Sequence, residues 1–497
     1  MLLVRLDERS SEPKTRQIVT QIRSLIGDGT LRPGDALPST RQLAASLGVH
    51  RSTVSVAYQE LWALGFLELH PRACPRVRER AQIATGAGSK EPGLVDWDAI
   101  GSPASEAVRQ VLTGFRTLGV ASPDSDTIDF SVLDVDRRLL PVDRFRSCMG
   151  QVLREQGRNL LGYGDCAGYP PLRQYIADRL KTHGISATPA EVLITNGSQQ
   201  ALDLVFRMIA APGRKVAVES PTYDWALPLM RFHGLVPLEI PLHRDGMDLA
   251  ALEEALRNER PVLVYTMPSF QNPTGVSTSQ SHREALLDLC ERYRTPILED
   301  GFDEEMKYFG RAVLPVKSMD RGKVVIYCGT FSKVLFPGMR VGWIVADPEC
   351  IERLSAIRRF SELSPNLVAQ AAFHEFCRRG YFDRHITMMH RVYRRRMQTL
   401  IEALRKHVSR QWADWEEPTG GYLAWLRLSA QLATPEDWSR HFASFGVKVA
   451  LGKTFFASTV PGQQLRLSIS RLNLEEISEG VERLASALSA LEGGSHD

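Results

Sequence analysis

A lysine in GTFSKVLFPGMRVGW (329–343) has the setting that points most directly to chemistry. Lys333 follows an apolar, strand-like run, sits among small residues and is trailed by Pro337, Gly338 and Arg340. A lysine beside an apolar wall has its ammonium form disfavoured, so it can present a neutral amine to an aldehyde. A single lysine is usually solvated surface, and it is the companions upstream that give this one meaning. Asp300 closes the apolar run TPILED and is expected at the C-terminal edge of a parallel strand, where α/β sheets place ligands. A carboxylate there can keep a pyridine nitrogen protonated, which turns the ring into an electron sink. Asn272 lies in QNPTG after the run PVLVYT, able to donate to a phenolic oxygen. Ser198 and Gln199, in TNGSQQ, follow EVLI and open the helical stretch ALDLVFRMI. Such a strand, Gly turn and helix start aims free amides and a positive dipole end at an anion. Thr330 and Arg340 can complete that anion cup, and Tyr223, in ESPTYDWA, offers a ring face for stacking. Taken singly, an Asp at a strand end is often a turn residue and a Tyr is usually core. Their order along one chain is what argues for a site.

These residues need a frame. From about 126 to 490 the short apolar runs EVLIT, KVAVE, PVLVYT, TPILED and KVVIYC alternate with helical patterns. Strands alternating with helices predict an α/β domain with a mainly parallel central sheet. The segment 80–125 is rich in Gly, Ser, Pro and Asp and reads as a linker, with one short amphipathic helix expected around AVRQVLTGF. At 497 residues the chain is long enough for roughly three domains. Net charge is only +3, yet residues 1–80 hold 12 Lys and Arg against 8 Asp and Glu, which puts the positive excess where a phosphate backbone could use it. The seven cysteines are scattered without a C-x-x-C, so neither a disulfide framework nor a metal site is expected, in keeping with a reducing cytoplasm. No apolar run approaches a membrane span, and MLLVRLDERSSEP has no apolar core or cleavage site of a signal peptide.

The N-terminal zone, 10–79, is dense in helical periodicity. Ile18, Ile22, Leu25 and Ile26 share one face, with Gly27 or Gly29 as the stop. Ser39-Thr40-Arg41-Gln42 spells a capping box that starts a helix through Leu47, closed by Gly48. His50-Arg51-Ser52-Thr53 opens another, whose inner face is Val54, Ala57, Tyr58, Leu61 and Leu64, before the extended pieces FLELH and PRVR. Two short helices, a tight turn and a ribbon form the plan of a winged helix-turn-helix, whose second helix enters the major groove N-terminus first. Arg51, Ser52 and Thr53 at that end suit guanine edges and phosphate oxygens. A small helical docking module with solvated arginines fits the same pattern.

Residues 12–78, with LRPGDALPSTRQLAASLGVHRSTVSVAYQELWALGFLE, closely resemble the DNA-binding domain of the GntR family of bacterial regulators. The resemblance implies operator contacts from Arg41, Arg51, Ser52 and Thr53, with Arg72 at the wing tip in the minor groove. Family wings carry glycines at the tip, whereas this one reads HPRACPRV. From about 126 to 490 the chain resembles fold-type I aminotransferases, through YGDCAGYPPLR, TNGSQQALDL, ESPTYDW, QNPTG, ED, SKVLFPGMRVGW and LRLSIS. That resemblance implies pyridoxal 5'-phosphate linked to Lys333, with Asp300 on the ring nitrogen, Asn272 on the ring hydroxyl and Tyr223 stacked on the ring. It assigns Ser198, Gln199, Thr330 and Arg340 to the phosphate, Tyr163 to the phosphate across a subunit boundary, and Arg466 to a substrate or effector carboxylate. The joined arrangement resembles the MocR subfamily of GntR regulators, which implies a head-to-tail homodimer.

The expected function is a cytoplasmic, PLP-dependent regulator that binds operator DNA and senses an amine or amino acid by aldimine exchange at Lys333. Two rivals stand beside it: a working aminotransferase with a DNA-binding head, and a DNA-binding protein with an empty body. The family commonly has EDDYD where this chain has EDGFD, so Phe302 lacks a hydroxyl that would bond the cofactor's phenolic oxygen. A lost charge-assisted donor is worth ~1–3 kcal/mol, which predicts a less acidic internal aldimine and weak transamination.

Overall fold

The capping box at Ser39 forms as its spelling demands. In the computed structural model, which describes residues 4–492 except 9, 71–72, 79–94, 117–125, 303, 312 and 459, the Gln42 amide donates to Ser39 Oγ at 3.3 Å and the Ser39 amide donates to Gln42 Oε1 at 2.9 Å. Two of the orphan donors of a helix start are thereby satisfied. The helix so begun, α2 (Thr40–Leu47), follows α1 (Lys14–Gly27) and precedes α3 (Arg51–Ala63). Gly48 ends α2 at φ 65°, a left-handed backbone that glycine adopts at no steric cost. Ile18, Ile22 and Ile26 of α1 pack with Leu43, Val54, Ala57, Tyr58 and Leu61 in one buried cluster. Leu25 is only partly buried at its edge, and Leu64 departs from the expected inner face: it is 51% exposed. It is the C-cap residue, where the chain turns out of α3 toward Gly65 at φ 80°, so its side chain falls beyond the last buried turn. The ribbon is antiparallel, β1 (Leu67–Glu68) on β2 (Arg76–Val77), with Leu67 opposite Val77.

The chain divides into two units, Met1–Ala99 and Ile100–Asp497. The second is built on an eight-stranded sheet in the order Val192–Thr195, Gly342–Val345, Val325–Thr330, Ile297–Asp300, Leu263–Thr266, Lys215–Ser220, Val236–His243, Gly246–Met247. The five expected runs are all here, and the inner strands are buried on both faces because helices cover both sides. The pairs among Val325–Thr330, Ile297–Asp300, Leu263–Thr266, Lys215–Ser220 and Val236–His243 are parallel. Parallel pairing puts their C-terminal ends on one edge, which is why residues spread over more than 130 positions can converge. Gly342–Val345 runs antiparallel between Val192–Thr195 and Val325–Thr330, so its beginning lies at that same edge.

A second, four-stranded antiparallel sheet (Ala413–Trp415, Leu423–Leu428, Gln464–Ser468, Ala450–Leu451) carries Arg466 on an inner strand. The amphipathic helix expected in the linker stretch forms as Pro103–Arg116 and lies against the helix Ala226–Phe232. No helix among the described residues is long and apolar enough to cross a membrane.

Candidate cofactor site and nucleic-acid interface

The C-terminal edge of the large sheet assembles the predicted residues. Asp300 ends its strand fully buried, and its register partner on the neighbouring strand is Cys328. Its Oδ2 accepts from the Tyr265 hydroxyl at 3.2 Å, while no donor among the described residues meets hydrogen-bond distance and angle at its Oδ1. Burial raises the carboxyl to about 6, against the pull of Tyr265, Cys328 and the Phe302 amide. A buried carboxylate oxygen without a partner is costly, so Oδ1 marks the place where a cationic donor is wanted.

Lys333 emerges just past Val325–Thr330, and its Nζ donates to the Leu133 carbonyl at 3.1 Å. Its own carbonyl accepts from the Tyr422 hydroxyl at 3.0 Å, which ties the loop to the second sheet. Asn272, nearly fully buried, accepts at Oδ1 from Arg466 Nη1 at 2.9 Å, and this leaves its amide N–H groups to face elsewhere. Arg466 is 5% exposed; Nη2 donates to the Ser131 carbonyl at 2.7 Å, the Phe455 ring lies 4.9 Å from the guanidinium carbon, and Nε has no partner among the described residues. Tyr223 donates to Gln199 Oε1 at 3.3 Å. Lys333, Asn272, Tyr223 and Arg466 line one open cavity of about 2330 Å³, with Val111 and Leu112 of the helix Pro103–Arg116 at its wall.

An anion cradle lies at the same edge. The helix Ser198–Ile209 starts after Gly197 with no side chain capping its first turn. Gly197 has φ 83°, and a Cβ there would stand 2.5 Å from Arg340 Nη2. Glycine is thus what lets the guanidinium approach the helix start, where Nη2 donates to the Asn196 carbonyl at 2.7 Å. Thr330 Oγ1 donates to Ser332 Oγ at 3.0 Å and accepts from the Ser332 amide at 3.0 Å.

Asp300, Ser198, Gln199, Thr330 and Arg340 do not themselves line the cavity shared by Lys333, Asn272, Tyr223 and Arg466, and neither does Tyr163, which is 87% exposed. The turn bearing it is tied to another turn by the Gly164 amide donating to Ser364 Oγ at 3.0 Å. Exposed Leu161 and Leu363 lie on these two turns, and exposed Phe360 lies in the last turn of the helix Pro348–Glu362. Phe302 is buried and lines a separate cavity of about 30 Å³ with Tyr327, Thr330 and Phe331.

Sequence reasoning missed Tyr265, Cys328, Ser332 and Asp224. It also missed Glu219, which accepts from the Thr266 hydroxyl (2.5 Å), the Met267 amide (3.1 Å) and Gln271 Nε2 (3.0 Å), bracing the loop that carries Asn272. Ser332 had a signal, a second hydroxyl two residues after Thr330 and next to the lysine.

In the head, Arg41, Arg51 and Ser52 are exposed and Thr53 is half-buried. Arg51 Nε donates to Thr40 Oγ1 at 3.2 Å, which joins the start of α3 to the start of α2. His50 precedes α3 as an unforeseen N-cap, its Nδ1 accepting from the Ser52 amide at 3.3 Å. Arg72 lies outside the described residues.

The model of the family "Bacterial regulatory proteins, gntR family" matches residues 14–77, and that of "Aminotransferase class I and II" matches 131–484. The chain is 30% identical over 494 residues to the probable rhizopine catabolism regulatory protein MocR of Rhizobium meliloti, covering 98% of this chain and 96% of that protein. It is 38% identical to the 2-aminoadipate transaminase of Thermus thermophilus over 71% of this chain and 88% of that one. Among solved structures, LysN, the alpha-aminoadipate aminotransferase of Thermus thermophilus complexed with N-(5'-phosphopyridoxyl)-L-leucine, superposes with a TM-score of 0.72 at 32% identity, over 80% of this chain and 99% of LysN.

Proposed function

The chain belongs to the aminotransferase class I and II family and carries a bacterial gntR-family domain at its N-terminus, and from that premise we propose a MocR-type DNA-binding transcriptional regulator that holds pyridoxal phosphate at Lys333 and senses an amine or amino acid there. The observation that carries the cofactor assignment is the buried Oδ1 of Asp300, without a hydrogen-bond partner among the described residues, on the sheet edge that also presents Lys333. The residues fit the group: an anionic oxygen for the ring nitrogen, an amide for the ring hydroxyl, a ring face and an uncapped helix start. When bound, pyridoxal phosphate supplies an aldehyde carbon and an electron-withdrawing ring.

The chain's own residues divide the remaining work. Asp300 holds the proton of the ring nitrogen, and Asn272, its Oδ1 occupied by Arg466, offers N–H to the phenolic oxygen. Tyr223 presents its ring face. Ser198, Gln199, Thr330, Ser332 and Arg340 bind the phosphate through helix-start amides, hydroxyls and a guanidinium. Arg466 keeps Nε for an effector carboxylate. Exposed Leu161, Tyr163, Phe360 and Leu363 support a head-to-tail homodimer in which the partner subunit's Tyr163 reaches the phosphate.

Arg41, Arg51, Ser52 and Thr53 bind operator DNA, which places the protein in the cytoplasm. An effector moves the heads only by its differential affinity for their arrangements, typically about 1–3 kcal/mol. Phe302, without a hydroxyl, favours sensing over turnover. A working aminotransferase is the second reading, favoured by the complete set of Lys333, Asp300 and Arg466. Mixing cofactor-loaded protein with amino donors and a keto acid separates them. The regulator gives one stoichiometric spectral change, whereas sustained turnover supports the enzyme.

A further inference from the structure

Two amide side chains flank the open start of the helix Ser198–Ile209, and neither caps it. Gln200 is its third residue, the position from which a Gln side chain ordinarily reaches back to the N-cap amide. Here its Oε1 accepts from the Asn196 amide at 2.7 Å, one residue further back, and its Nε2 donates to Glu362 Oε1. Asn196 Nδ2 donates to that same oxygen at 2.9 Å. Glu362, the last residue of the helix Pro348–Glu362, thus engages both side chains. The first-turn N–H groups are left for an anion.

A carboxylate so close to a phosphate site would repel the ligand if its charge were bare. It is not bare. Glu362 Oε2 accepts from Arg358 Nε at 3.1 Å, and Arg358 is fully buried. Arg358 Nη1 donates onward to two carbonyls. One belongs to Ile194, on the strand that leads into the cradle, and the other to Cys166, three residues past Tyr163, at 3.2 Å. A single ion pair therefore joins the strand, the helix start and the turn bearing Tyr163.

We propose that Glu362 is a positioning residue for the cofactor's phosphate. Neutralised by Arg358, it holds Asn196 and Gln200 away from the helix start, so that the phosphate meets backbone amides there. This rests on the cofactor site proposed above, and the test keeps the two apart.

Full-length, cofactor-free protein is titrated with pyridoxal 5'-phosphate and with pyridoxal, which lacks the phosphate, reading the visible absorbance band. Native protein should half-saturate at a much lower concentration with the phosphorylated compound. In Glu362→Gln that preference should fall about tenfold, the worth of a hydrogen bond to a charged group, with pyridoxal itself little affected. An amide has one acceptor oxygen and cannot serve both Arg358 and the two amide side chains. Asn196→Ala, which leaves the ion pair with Arg358 in place, should lower the preference too, and the double variant should fall no further than Glu362→Gln alone. If circular dichroism shows that Glu362→Gln does not fold, Asn196→Ala decides by the same ratio. A preference as high in the folded variants as in native protein overturns the role of Glu362. So does an equal weakening toward both compounds, the mark of a brace that serves the fold alone. In both cases the cofactor site stands, whereas native protein that takes up neither compound overturns site and role together.

Discussion

Arg466 Nη1 donates to Asn272 Oδ1 at 2.9 Å, so the side chain assigned to the effector carboxylate touches the one assigned to the cofactor's phenolic oxygen. One residue comes from the antiparallel sheet and the other from the loop after Leu263–Thr266 on the large sheet. Under that assignment, a ligand that draws Arg466 would act on Asn272 through a single hydrogen bond. Replacing Arg466 with Ala should raise the half-saturating concentration of carboxylate-bearing amino acids roughly 10- to 100-fold, the worth of a charge-assisted bond of about 1.5–3 kcal/mol. The same variant should change the response to a simple amine far less. Spectral titration of both ligand types checks it, and equal losses would refute the role.

Asp300 predicts a pH dependence. Its carboxyl is raised to about 6 by burial from an ordinary 3.8, so below about pH 6 the cofactor-free protein holds a proton there that must leave before the group can pair with a pyridinium. Uptake of pyridoxal phosphate should therefore weaken as pH falls below about 6, and Asp300→Asn should lose that limb. The folded state binds this proton more tightly than the unfolded chain does. Its contribution to the stability of the cofactor-free protein is thus full below pH 3.8 and lost as pH rises through about 6. Cofactor titrations and thermal melts between pH 4 and 8 read both effects.

Gly197 predicts a steric one. An alanine there would carry a strained φ and a Cβ 2.5 Å from Arg340 Nη2. Gly197→Ala should displace the guanidinium and weaken cofactor retention at least about tenfold, a loss of about 1.4 kcal/mol, with circular dichroism unchanged. Undiminished retention would remove Arg340 from the phosphate cradle.

In the head, Ser39→Ala should lower the stability of the unit by about 1 kcal/mol through loss of the cap, measured by thermal melting of the full chain. Arg51→Ala should weaken operator binding by about 1–3 kcal/mol if it reads a base. A flatter salt dependence with unchanged sequence preference would move Arg51 to a phosphate instead.

The large sheet was legible because strands buried on both faces spell continuous apolar runs, and the residues just past them fall at one edge. The strand Gly342–Val345 was not, since its direction is set by partners on either side and not by its own residues. The supports of Asp300 were hidden for a similar reason. Tyr265 lies 35 positions away, and Cys328 becomes its neighbour only through sheet register. Leu64 misled because the apolar periodicity runs one residue past Ala63, the last helical residue, before Gly65 turns the chain. Asp224 stood in plain view beside Tyr223, but the Arg466 and Lys333 charges that oppose the effect of its burial come from distant segments.

The most direct test is the visible spectrum of purified native protein and of Lys333→Ala after incubation with pyridoxal phosphate and extensive dialysis. Native protein should keep a visible band in about one-to-one ratio with chains, and Lys333→Ala should lose the band and the compound together. A colourless native protein, or a variant that holds the compound as firmly as the native chain, would contradict the account.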